Sequence, residues 1–146
     1  MSAQTSTIRI VLPILFALLS ASAAASAQTL TDELAQRSGV SPAEVSTLLA
    51  NCDANRTSMK FCAWRDELAA ERTLRRLIDE KRAASPKCGA VLAQKVASWQ
   101  KRRDETCRQS AAQQWTDGSM QSAAVALCAT DRTKQLMESL ASNTCR

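Results

Sequence analysis

Six cysteines and no histidine limit the chemistry open to this chain. Cys52, Cys62, Cys88, Cys107, Cys128 and Cys145 lie at long spacings, with no C-x-x-C pair and no His to complete a zinc site. Pairwise oxidation is the chemistry they suit. No metal and no cofactor is expected. The absence of His also excludes Ser–His and Cys–His nucleophiles, and oxidised sulfur cannot attack a substrate. Two carboxylate pairs remain, Asp66-Glu67 and Asp104-Glu105. Neighbours on a helix point in diverging directions, so neither pair converges on one substrate as acid–base hydrolysis requires. Their expected role is solvation, and the chain is expected to bind rather than to catalyse.

A second constellation is Trp99, Arg103 and Cys107, each four residues from the next. On a helix these share one stripe, which predicts a buried aromatic, a paired arginine and a disulfide anchor on one central helix. Arg103 is expected to find Glu71, Asp66 or Asp131 across the bundle, and Asp104 a basic residue of the first long helix. Lys101, Arg102 and Glu105 read as solvated charge. Trp64 and Trp115 are open between core and contact roles.

The sulfur chemistry implies a compartment. Met1 to Arg9 carries one positive charge and no acid, Ile10 to Leu19 is an apolar run, and Ala25-Ser26-Ala27 fits the small-x-small cleavage rule. Residues 1–27 are therefore expected to be a signal peptide, with Ala21-Ser22-Ala23 as a second possible cleavage site. The run is shorter than the ~20 apolar residues of a spanning helix, and no Cys at the cleavage point takes a lipid. A periplasmic or secreted protein without a stable membrane anchor is expected. Losing Arg9 lowers the net charge of +5 by one, and the remaining basic excess is scattered among acids. That favours solubility or contact with acidic envelope material over nucleic acid.

The elements that must position these residues are helices. Nothing alternates with period two and Tyr is absent. Leu30–Ala50 reads as an N-terminal helical hairpin (domain 28–50): Thr31-Asp32-Glu33 starts a helix, Gly39 ends it, and Ser41-Pro42-Ala43-Glu44 is a capping box. Its pattern resembles a repressor helix-turn-helix. However, the second helix offers Pro42, Ala43, Glu44, Ser46 and Thr47 where base-reading cations or amides are needed, so no nucleic-acid partner is expected.

Three long helices follow in a domain spanning 51–146. The first is capped by Thr57 or Ser58 and runs to about Ala84, with Met59, Cys62, Ala63, Ala70, Leu74, Leu77 and Ile78 as its apolar face. The second runs from about Gly89 to Ser110, with Leu92, Val96, Trp99 and Cys107 inward. After an Asp117-Gly118 turn, Ser119 caps a third that lasts to Ser142, with Met120, Ala124, Leu127, Leu136 and Leu140 inward. The expected fold is all-α, a disulfide-stapled antiparallel three-helix bundle with the short hairpin before it. Up-down-up packing of rods ~35–40 Å long places Cys88 and Cys145 at one end and the other four sulfurs at the opposite end. This favours Cys88–Cys145, and with it Cys62–Cys107 and Cys52–Cys128, or the latter two with partners exchanged.

Trp99-x-x-x-Arg103-Asp104-x-x-Cys107, preceded by Leu92 and followed by Gly118-Ser119 and Cys128, resembles the LprI-type lysozyme inhibitor family, small exported helical domains with four cysteines. Cys52, Met59-x-x-Cys62-Ala63 and Ala70-Glu71-x-x-Leu74 agree with that resemblance. Glu71, Arg75 and Ile78 stand where the family usually has Asp, Asn and Tyr, and Cys88 and Cys145 are additions. The likeness covers about Asn51 to Leu140 and leaves the hairpin outside. It implies a non-enzymatic protein that blocks a lysozyme (a muramidase) in the cell envelope. The alternative is an envelope interaction or stress module binding anionic surface polymer or another protein. Many lysozymes are cationic, so a positively charged inhibitor needs a local acidic contact, for which Asp117 and Asp53 are the candidates.

Overall fold

A computed structural model describes residues 21–116, 118 and 120–142. Most of the expected leader and the Cys145 end of the expected Cys88–Cys145 bridge lie outside the described residues. The described chain forms five helices: α1 (Ala21–Ser38), α2 (Pro42–Ala50), α3 (Arg56–Ala84), α4 (Pro86–Gln114) and α5 (Gln121–Ser142). The all-α bundle expected from the sequence is the fold observed. Among the described residues no helix is long and apolar enough to cross a membrane.

Capping chemistry explains the boundaries, including those the sequence misplaces. α1 is already helical at Ala21, where the described residues begin, well ahead of the start expected at Thr31, because the alanine-rich stretch before Thr31 favours helix. It ends where Gly39 takes φ 72, a left-handed conformation that lets its N–H reach the Ala35 carbonyl at 2.9 Å. Ser41 then caps α2, accepting from the Glu44 N–H, with Pro42 in the first turn. Asn55, not Thr57 or Ser58, caps α3; its side chain accepts from the Ser58 N–H at 2.9 Å, and Ser58 is buried inside the first turn.

A single residue, Ser85, separates α3 from α4, ending the first and preceding the second, with Pro86 opening α4. α4 therefore starts ahead of Gly89 and runs past Ser110 to Gln114. Gly89 lies inside the helix for a steric reason. A Cβ there would lie 2.3 Å from the Arg82 Cα, so any side chain would force the two helices apart at their turn. Gly118 takes φ 71 in the turn before α5, while the expected cap Ser119 lies outside the described residues.

α3 runs up, α4 down and α5 up, with α5 packed along both others. Leu74, Ile78 and Val96 form the core near the α3–α4 turn, with Leu92, Trp99, Leu136 and Leu140 packed on it. Toward the α4–α5 turn the core is made of small residues, Ala63, Ala123 and Ala126. The hairpin does not stand apart: Leu34, Ala35 and Val45 share a core with Phe61 and Leu68 of α3. Arg72 of α3 also pairs with Glu33 of α1. That guanidinium, with Arg37, holds the Glu33 carboxyl below its ordinary range despite some desolvation.

Two apolar residues fall on the wrong face of the expected pattern. Leu127 is 53% exposed and Met59 38%. The buried side of α5 is Ala123, Ala126, Ala129, Thr130 and Thr133. Close packing against α3 admits small side chains there and turns the large one outward.

Candidate functional site

The sulfur framework corrects the expected pairing. Cys52 joins Cys62, and Cys107 joins Cys128, with Cα separations of 5.8 and 5.7 Å; neither Cys62–Cys107 nor Cys52–Cys128 forms, and the exchanged partners do not form either. Cys52 precedes α3 by one short turn and folds back onto the second turn of that helix. Cys107 and Cys128 stand at equal distances from the α4–α5 turn, so antiparallel rods bring them level. Cys88 is also disulfide-bonded, and no described cysteine is free.

The Trp99–Arg103–Cys107 stripe does lie along one side of α4. Cys107 is fully buried and Arg103 is 6% exposed. Of the three partners expected for Arg103, Glu71 is the one it meets, donating through Nη2 at 2.8 Å. Arg103 also donates from Nη1 to Thr133 Oγ1 at 2.8 Å and from Nε to Asp104 at 2.8 Å. Burial alone would lower the guanidinium's pKa; the hydrogen bonds it donates to Glu71 and Asp104, with their negative charges, outweigh burial and raise it. Asp104 thus serves its neighbour on α4 and does not bridge to a base on α3. Trp99 is half-buried, not buried, and its ring lies 5.4 Å from the Arg103 guanidinium carbon. Leu74 is core at 1% exposure. These residues are a structural strut, which leaves the candidate site elsewhere.

That site is a groove of ≈ 640 Å³ at the end of the bundle beside the α4–α5 turn. Trp64 and Glu67 enter it from α3, Arg108 and Gln109 from α4, and Gln121 and Ser122 from α5. Lys60 lies 5.1 Å from the Trp64 ring and Phe61 packs at 5.2 Å between centroids, which holds the indole in place. Arg108 is committed to Glu105 at 3.0 Å, and Gln109 donates to the same carboxylate at 2.8 Å. Glu67 has no such partner: among the described residues no hydrogen bond or ion pair reaches its carboxylate. Desolvation, helped by the neighbouring Glu71 charge, pushes Glu67 up to about 7.

Glu67 therefore departs from the solvated role the sequence assigns to the Asp66-Glu67 pair. Its neighbour behaves as expected, pairing with Arg65 at 2.8 Å on the surface. A signal for Glu67 was present in the spacing. Trp64, Glu67 and Glu71 recur at steps of three and four, the same helical periodicity that marks the Trp99 stripe. Trp115, 41% exposed, caps α4 at the same end of the bundle. Of the two acidic contacts expected, Asp53 is exposed and its N–H is held by the Asn51 side chain at 3.1 Å; Asp117 lies outside the described residues.

The chain matches no protein-family model, no curated protein and no solved structure.

Proposed function

We propose that the protein is a non-enzymatic binding protein of the cell envelope that acts on a lysozyme or another envelope protein. The Trp99/Arg103-Asp104/Cys107 resemblance to LprI-type inhibitors motivates the reading. The observation that carries it is the exposed Trp115 at the α4–α5 turn. An exposed indole is a common binding anchor, and this one caps α4, which Cys107–Cys128 ties to α5, so the ordering cost of association is limited. Glu67 is the one carboxylate in the groove, and no second carboxylate near it is unengaged among the described residues: Glu71 and Asp104 are occupied by Arg103, Asp66 by Arg65 and Glu105 by Arg108. The test is turbidity loss of a cell-wall suspension with several lysozyme types, with and without excess protein. Slower lysis that Trp115→Ala relieves is expected. Unchanged lysis with every lysozyme type would dispose of the inhibitor reading.

One observation favours a second reading, an interaction module for anionic surface polymer. Arg75 and Arg76 on α3 are exposed, and no described residue pairs with either. This predicts retention on peptidoglycan or acidic lipid that fades with salt and weakens when both are replaced by Gln. Absence of retention at low salt would remove it.

A further inference from the structure

The groove at the α4–α5 end contains an apolar wall and a carboxylate with its charge unspent. Trp64 and Val125 supply apolar surface, and Glu67 supplies the only groove carboxylate among the described residues. The nearby cations are engaged elsewhere: Arg103 is shared by Glu71, Asp104 and Thr133, Arg108 is held by Glu105, and Lys60 stands over the Phe61 and Trp64 rings. Gln121 and Ser122 on the α5 wall are uncharged. An anion would meet the Glu67 charge, and a purely apolar ligand would leave it buried and unpaired, which is costly. A long chain ending in a cation satisfies both halves of the groove.

We propose that this groove receives a lysine or arginine side chain of a protein partner, its aliphatic stem along Trp64 and Val125 and its cationic head against the Glu67 carboxylate. The proposal rests on the binding-protein reading and supplies the local acidic contact that a chain of net charge +5 needs in order to hold a basic partner. It also makes binding proton-linked. The cation meets only ionised Glu67, whose ordinary range has been raised to about 7 by desolvation and by Glu71. The other charged groups acting on it are Arg103 and Asp104 of α4 and Arg37 of α1, and Arg108 shares the groove. Protonation at low pH removes the counter-charge, so the competent fraction falls about tenfold from pH 8 to pH 6.

The test uses hexylguanidinium and hexylammonium as probes, with hexanol and hexanoate as neutral and anionic controls, on the purified protein. Binding is followed by NMR at the Trp64 indole N–H. The cationic probes are expected to shift that signal, with affinity about tenfold weaker at pH 6 than at pH 8. Glu67→Gln keeps the shape and removes the charge; it is expected to bring hexylguanidinium down to the level of hexanol and to flatten the pH dependence. Arg76→Gln, away from the groove, should change neither. Equal binding of hexanol and hexylguanidinium, or pH dependence that survives Glu67→Gln, overturns the proposal. Lysozyme assays separate it from the reading it rests on. Inhibition retained in Glu67→Gln refutes the groove as the contact and leaves the inhibitor; probe binding without inhibition of any lysozyme refutes the inhibitor and leaves the groove.

Discussion

The Arg103 guanidinium and the Glu71 carboxylate meet at 2.8 Å between α4 and α3, with 3% and 18% of their side chains exposed. Thr133 of α5 accepts from the same guanidinium, so one cation ties all three long helices at a single level. Above and below that level the core is apolar. Removing one partner strands the other with its desolvation uncompensated, typically at a cost of about 3–5 kcal/mol. Arg103→Ala is accordingly expected to lower the unfolding free energy by about that amount in urea. Replacing Arg103 by Met together with Glu71 by Leu should recover most of the loss, because neither member of the pair is then left without its partner. A double variant as unstable as the single one would count against the strut.

Glu67 gives stability a pH dependence of unusual sign for a carboxylate. Its folded pKa, about 7, lies above the ordinary value of 4.5 expected in the unfolded chain, so the folded state holds the proton more tightly. The contribution is complete below the unfolded value, declines as pH rises toward 7 and is gone above it. Discounting for partial solvent screening, the decline amounts to about 1–2 kcal/mol. Thermal melts should therefore show a higher Tm at pH 5 than at pH 8, and Glu67→Gln should raise the pH 8 value and remove most of the difference. Glu33, whose carboxyl is held below its usual range by Arg72, works in the opposite sense. It loses its contribution only as pH falls through that lowered value, below the window where Glu67 acts.

Non-reducing peptide mapping should recover Cys52 linked to Cys62 and Cys107 linked to Cys128. Replacing Cys107 and Cys128 together by Ala should cost about 3 kcal/mol on chain-entropy grounds. The loss should also free the Trp115 turn and weaken any binding that depends on it. A peptide joining Cys62 to Cys107 would contradict the arrangement.

The helices were legible because their signals are local: Ser41-Pro42 at the start of α2, Gly39 at the end of α1, and steps of three and four along α3. The sulfur pairing was not. It depends on where each helix starts, and the sequence placed α4's start at Gly89 and α3's cap two or three residues beyond Asn55. Once α4 is known to end at Gln114 and α5 to start at Gln121, Cys107 and Cys128 stand level. Arg103's partner was within reach of pattern reasoning because Glu71 follows Trp64 and Glu67 on one stripe. The same stripe includes Glu67, but its desolvation was not legible, since the residues that line the groove with it come from α4 and α5, far away in sequence.

Trp99 is half-buried against Leu74, Ile78 and Val96, with one ring face toward Arg103. A fully buried Trp replaced by Ala would cost about 3–5 kcal/mol; here part of the ring already meets water, so Trp99→Ala is expected to cost about 2 kcal/mol. Trp99→Phe should keep most of the packing. Intrinsic fluorescence compared between the native protein and this variant should assign Trp99 an emission between buried and exposed. A fully red-shifted Trp99 would contradict the packing described.

The face that α5 turns inward can be tested with two substitutions one residue apart. Leu127 is the larger side chain and looks like core in the sequence, yet it is 53% exposed, while Ala126 is wholly buried against Ala63 of α3. Leu127→Gln removes little buried surface and should stay within about 0.5 kcal/mol of the parent. Ala126→Leu inserts three carbons where the two helices touch, and overpacking of this kind costs about 1–3 kcal/mol. The Cys107–Cys128 link anchors α5 only two residues further on, so the helix cannot rotate to relieve the clash. Urea unfolding of both variants separates the alternatives. A Leu127→Gln variant that is the less stable of the two would mean that α5 presents the face its large residues suggest, and the alanine seam with α3 would be wrong.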